Sequence, residues 1–74
     1  MAMTLDLSGL VCPVPLVRSR KAMENMEPGD VLEIIVDSED SRVNILMAAK
    51  ELSLEIKRAT RDAEGRWHII VRKG

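Results

Sequence analysis

Leu5 and Leu7 alternate with Asp6 between Thr4 and Ser8, the period of two that a half-buried strand requires. Gly9 ends that run. From Pro13 to Met26 the apolar positions Leu16, Ala22, Met23 and Met26, with small Ser19 among them, recur at helical spacing, while Arg18, Lys21 and Asn25 fall on the opposite side. Pro13 suits the first position of that helix, where its missing N–H costs nothing, and Pro28-Gly29-Asp30 stops it. Val31 to Asp37 is almost wholly aliphatic, which predicts an inner strand buried on most of both faces. Asp37, Ser38, Glu39, Asp40 and Ser41 offer N-cap candidates and first-turn acids to a second helix with an apolar stripe of Ile45, Leu46, Ala49 and Leu52. Leu54 and Ile56 alternate with Glu55 and Lys57 in a third strand. Trp67, Ile69 and Val71 alternate with His68, Ile70 and Arg72 in a fourth, and Asp62-Ala63-Glu64-Gly65 joins the two as a hairpin.

Two helices cannot cover both faces of four strands. The order β-α-β-α-β-β therefore predicts an α+β fold, a two-layer α/β sandwich with a mixed sheet: parallel across the first crossover, antiparallel in the final hairpin. Residues 1–74 are expected to form a single domain, because chains divide into several cores only well above 74 residues. Apolar residues make up 46% of the sequence and charged residues 31%, a globular composition, and with Trp67 the only aromatic residue the core falls to aliphatic side chains and five methionines.

The net charge of −1 attracts neither nucleic acid nor an acidic membrane, and one Trp is a poor stacking platform, so direct nucleic-acid binding is not expected. The charges are unevenly spread. Seven acids and no base lie between Ala22 and Ser41, whereas six bases face three acids from Leu54 to Gly74. The longest uncharged stretch, Leu7 to Val17, holds two prolines and is too short to span a bilayer; no signal peptide is visible, and the expected location is the cytoplasm.

A lone cysteine excludes an intramolecular disulfide and, in a reducing compartment, is either inert packing or a reactive centre. Cys12 directly precedes the first helix, which makes it the expected N-cap residue, and a helix N-terminus lowers a thiol below its usual value of about 8.5. Pro13 and Pro15 temper that effect by deleting N–H groups, leaving Val14 as the nearest capping donor. They also stiffen the corner after Gly9 and hold Cys12 out of the helix. No second cysteine is present to resolve a disulfide, and His68, the only imidazole, is expected on the outward side of the last strand. One His and one Cys are too few for a catalytic metal site, and no cofactor is expected. One nucleophile with no partner base suggests a carrier, loaded by one protein and unloaded by another.

These residues resemble the TusA/SirA family of sulfur carriers over nearly the whole chain. The resemblance rests on Gly9-Leu10-Val11-Cys12-Pro13-Val14-Pro15, matching the family's Cys-Pro-x-Pro signature after a Gly. It rests also on Lys21, on Pro28-Gly29-Asp30 before a strand ending at Asp37, and on Arg72-Lys73-Gly74. It implies sheet order 1-2-4-3 with both helices on one face, and a Cys12 that accepts sulfane sulfur as a persulfide. The partners it implies are a cysteine desulfurase or other sulfur donor and a downstream acceptor protein, serving tRNA 2-thiouridine, molybdenum cofactor or sulfur oxidation. Gly9, Pro13 and Pro15 would shape the site, and Arg18 or Lys21 would offer positive charge to a partner or to the thiolate. The sequence departs from the family where Ser38 and Glu39 replace an Asp-Pro and where Asn44-Ile45-Leu46 replaces Asp-Ile-Pro, which predicts a less interrupted second helix and leaves the acceptor open.

Two other readings fit the same residues. One is a regulatory or protein-binding module that docks a partner on an outward sheet face carrying Ile35, Ile70 and His68; the other is a redox sensor that forms a sulfenic acid or an intermolecular disulfide at Cys12. The expected state is a monomer or weak dimer, with Ile35 and Ile70 as candidates for a self-association face.

Overall fold

Six elements follow one another as β1 (Ala2–Asp6), α1 (Val14–Glu24), β2 (Val31–Val36), α2 (Glu39–Glu51), β3 (Glu55–Arg61) and β4 (Trp67–Arg72). The computed structural model describes residues 2–11 and 13–74, so expectations that fall on Cys12 lie outside the described residues. The strands form one sheet in the order β1-β2-β4-β3. β1 runs parallel to β2, and β4 pairs antiparallel with both β2 and β3. This is the α+β architecture expected, a mixed sheet with a helical layer.

Burial on β2 alternates strictly: Leu32, Ile34 and Val36 are buried, and Val31, Glu33 and Ile35 only partly so. The expectation of burial on most of both faces is thereby corrected, since the helices cover a single face. Ile69 and Val71 of β4, Met23 of α1, and Ile45, Ala48 and Ala49 of α2 complete the core with Leu7. Each large aliphatic side chain buried there contributes about 1.5–3 kcal/mol by leaving water.

Element ends differ from the expected ones for local reasons. β1 stops at Asp6, before the expected Ser8; Leu7 makes one more bond to β2, and beyond it the Asp6 carboxylate, accepting from the Ser8 N–H (3.0 Å) and hydroxyl (2.6 Å), turns the chain away. α1 begins at Val14, and Pro13 is its N-cap, so the cap position expected for Cys12 belongs to the next residue. At the other end α1 closes on Asn25, whose N–H bonds the Lys21 carbonyl. α2 runs uninterrupted from a Ser38 cap whose hydroxyl accepts from the Ser41 N–H at 3.1 Å. β3 extends four residues past the alternating segment, to Arg61, because a bulge between Ile56 and Arg58 breaks its period of two.

Candidate functional site

The loop between β1 and α1 leaves the sheet at Leu7, which is buried and still donates to the Ile35 carbonyl at 2.8 Å. Gly9 follows with φ at +83°, a left-handed conformation that glycine adopts without strain. Its N–H donates to Asp37 Oδ2 at 2.7 Å, so the loop is tied across the sheet to the end of β2. Asp37, expected among the helix-capping residues, therefore serves the loop, and Ser38 alone caps α2.

After Cys12, which lies outside the described residues, the chain enters α1 with its first amides largely committed. Pro13 and Pro15 have no N–H, and the Val14 N–H donates to the Val11 carbonyl at 3.0 Å. The Val14 donor expected to serve the preceding side chain is thus taken. Pro15, in the first turn of α1, is buried. Around this corner the apolar side chains face water: Val11 is 76% exposed and Val17 61%, with Leu10 and Val14 each at 37%. Arg18 and Lys21 are exposed on α1 and, among the described residues, form no ion pair, whereas Arg20 is held by Glu24 and Glu51.

Sheet register brings a second group of polar residues to the same end of the molecule. Asp6, Ile35, His68 and Thr60 stand in one row across the four strands, so the open face beneath the loop carries His68. His68 Nδ1 lies 3.0 Å from Glu33 Oε2 and Nε2 lies 2.7 Å from Asp62 Oδ2. The Asp62 bond, then that to Glu33, raises the His68 pKa above its ordinary value, while Asp62 is lowered to about 2, chiefly by the His68 bond and next by the Arg66 N–H. Both ring nitrogens are committed, which leaves the imidazole no free lone pair for use as a general base. Among the described residues no group of three or more His, Cys, Asp or Glu is arranged to hold a metal ion.

The sequence placed His68 outward but could not show its partners, because Glu33 meets it only through the β2–β4 register. Trp67 was likewise missed as a stacking platform: the Arg42 guanidinium lies 4.5 Å from its ring centroid and that of Arg61 5.7 Å. A Trp flanked by bases on two other elements gives no local signal. Ile35 and Ile70 do occupy the open face, but each is half-buried between polar neighbours.

An exposed apolar corner at a proline-stiffened helix start, beside a mixed sheet in this order, makes this a small α+β domain. The profile of the family described as sulfurtransferase TusA matches residues 3–73, and the chain belongs to that family. It is 36% identical over 69 residues to a putative sulfur carrier protein of Thermotoga maritima, covering 93% of this chain and 87% of that one. It is 32% identical to the sulfur carrier protein TusA of Allochromatium vinosum, covering 93% and 90%. The crystal structure of a SirA-like protein from Desulfitobacterium hafniense superposes with a TM-score of 0.86 at 30% identity, over 97% of each chain. No helix among the described residues is long and apolar enough to cross a membrane.

Proposed function

We propose that this protein is a sulfur-relay carrier in which Cys12 accepts sulfane sulfur from a donor protein and passes it to an acceptor protein. The Cys12 thiolate attacks the terminal sulfur of a persulfide on the donor cysteine; a new S–S bond forms at Cys12, the donor S–S bond breaks, and the donor leaves as a thiolate. No net oxidation occurs. Delivery repeats the exchange, the acceptor thiolate attacking the terminal sulfur and Cys12 leaving. The step asks for an accessible thiol and two docking events, and no cofactor on the carrier. A reducing compartment, the cytoplasm, suits it.

Membership of the family whose relatives are named sulfur carriers is the observation that carries this reading. The exposed Leu10, Val11, Val14 and Val17 support it, because four apolar side chains around one corner suit a protein surface. In this reading Gly9, Pro13 and Pro15 hold the corner, and Arg18 and Lys21, which form no ion pair among the described residues, meet acidic groups of the partners. Ser38 and Glu39, which depart from the family pattern, are absorbed into the start of α2, Ser38 as cap and Glu39 as the ion-pair partner of Arg42 at 3.1 Å. Asn44 lines the groove between the helices and Leu46 packs against the core, and in this reading it is Asn44 that helps to select an acceptor.

Intact-mass spectrometry after incubation with a pyridoxal-phosphate cysteine desulfurase and L-cysteine tests the proposal. Wild type should gain one sulfur atom, removable by a thiol reductant, and Cys12→Ser should gain none. A Cys12 that resists both sulfur transfer and iodoacetamide would overturn it. A Cys12→Ser variant that keeps full biological activity would favour the binding-module reading.

A further inference from the structure

We propose that the protein self-associates weakly through the outward side of α2, two copies pairing antiparallel about a two-fold axis at the middle of the helix; this holds whether or not Cys12 carries sulfur. Asp40, Val43, Met47 and Lys50 are all exposed, Val43 at 41% and Met47 at 55%. At 100° per residue their 3-4-3 spacing confines them to an arc of about 80°. That arc lies opposite Ile45, which is fully buried. It is the spacing of a short coiled-coil seam, on a helix face left largely open among the described residues, with Met47 at the rim of the groove toward Leu16 and Arg20 of α1.

The stripe is complementary to itself. Val43 and Met47 flank Ile45 at equal distances along the helix, and Asp40 and Lys50 do so further out, about 15 Å apart. An antiparallel second copy therefore sets Val43 against Met47 and Asp40 against Lys50, each pair made twice by the symmetry. A parallel copy would set Asp40 against Asp40 and Lys50 against Lys50. Among the described residues Asp40 and Lys50 have no ion-pair partner, while the charges beside them are used within the chain: Glu39 by Arg42 at 3.1 Å and Glu51 by Arg20 at 3.0 Å. On the open sheet face, the expected location for such a contact, the central charges Glu33, His68 and Asp62 already satisfy one another. One helix pair buries less than the about 1,200–2,000 Å² of a stable specific interface, so the dimer is a weak one.

Sedimentation equilibrium of the full chain at low ionic strength, from about 20 µM to about 1 mM, reads the association. The wild-type average mass should climb toward the dimer at the upper end, and added salt should weaken it. Val43→Lys and Met47→Lys should each remain monomeric, with far-UV circular dichroism showing that the fold is kept. Asp40→Lys alone should weaken association at least about tenfold, since each of the two pairs becomes repulsive. The double variant Asp40→Lys/Lys50→Glu should recover it, because both pairs return with reversed polarity. A wild type that is monomeric at about 1 mM would overturn the proposal. So would a dimer indifferent to the charge exchange, or concentration-dependent NMR shifts centred on Ile35 and Ile70.

Discussion

Both ring nitrogens of His68 meet carboxylates, so its protonated form is bound twice and its neutral form loses one of those bonds. Glu33 approaches from β2, Asp62 from the hairpin turn, and Asp6 and Arg66 lie near enough to share the local field. In the unfolded chain His68 titrates near 6.5, and the folded value is higher. Its contribution to stability is therefore full below pH 6.5 and is lost as the pH rises through the folded value. Asp62, held at about 2 against an ordinary 3.8, sets the acid limit: its contribution is full above 3.8 and is lost as the pH falls through about 2. Wild type and His68→Gln should thus differ most in Tm between about pH 4 and about pH 6.5, and the gap should close in alkali. A gap that grows with rising pH would contradict the assignment.

At the level of elements, the two helices owe their starts to different devices. Among the described residues α1 begins without a side-chain cap, fixed by Pro13 and the buried Pro15. α2 depends on the Ser38 hydroxyl, and Ser38→Ala should cost about 1 kcal/mol, read as a lower urea midpoint with an unchanged m-value. The existence and type of all six elements were legible because period two and period 3.6 are written in the apolar positions themselves. Their ends were less so. Asp6 ends β1 through its own side chain, and the bulge after Ile56 hides the length of β3 from any alternating pattern. The loop motif could be read as a string, but the Gly9–Asp37 bond, the His68 carboxylates and the arginines over Trp67 join positions that only the sheet register makes neighbours.

For the molecule as a whole, stability rests on one small core shared by sheet and helices. Ile34 and Ile45 are fully buried on opposite sides of that core. Truncating Ile45 to Ala should cost about 2–5 kcal/mol. Against a total of roughly 5–15 kcal/mol, that loss should appear as a large fall in the urea midpoint and in Tm. A shift too small to measure would mean that the helical layer is not what holds the sheet.

The row that joins Ala2, Val31, Arg72 and Glu55 crosses the sheet at the edge farthest from the β1–α1 loop. Ala2 and Arg72 are two strands apart there, or about 10 Å, and the strand length sets them roughly 15 Å from the level at which that loop departs. A dye, an affinity tag or a surface tether attached beside either position would point away from the corner that carries Cys12. Immobilised by that edge, the molecule would present the corner outward, like a bristle on a brush, leaving it open to whatever protein comes to meet it.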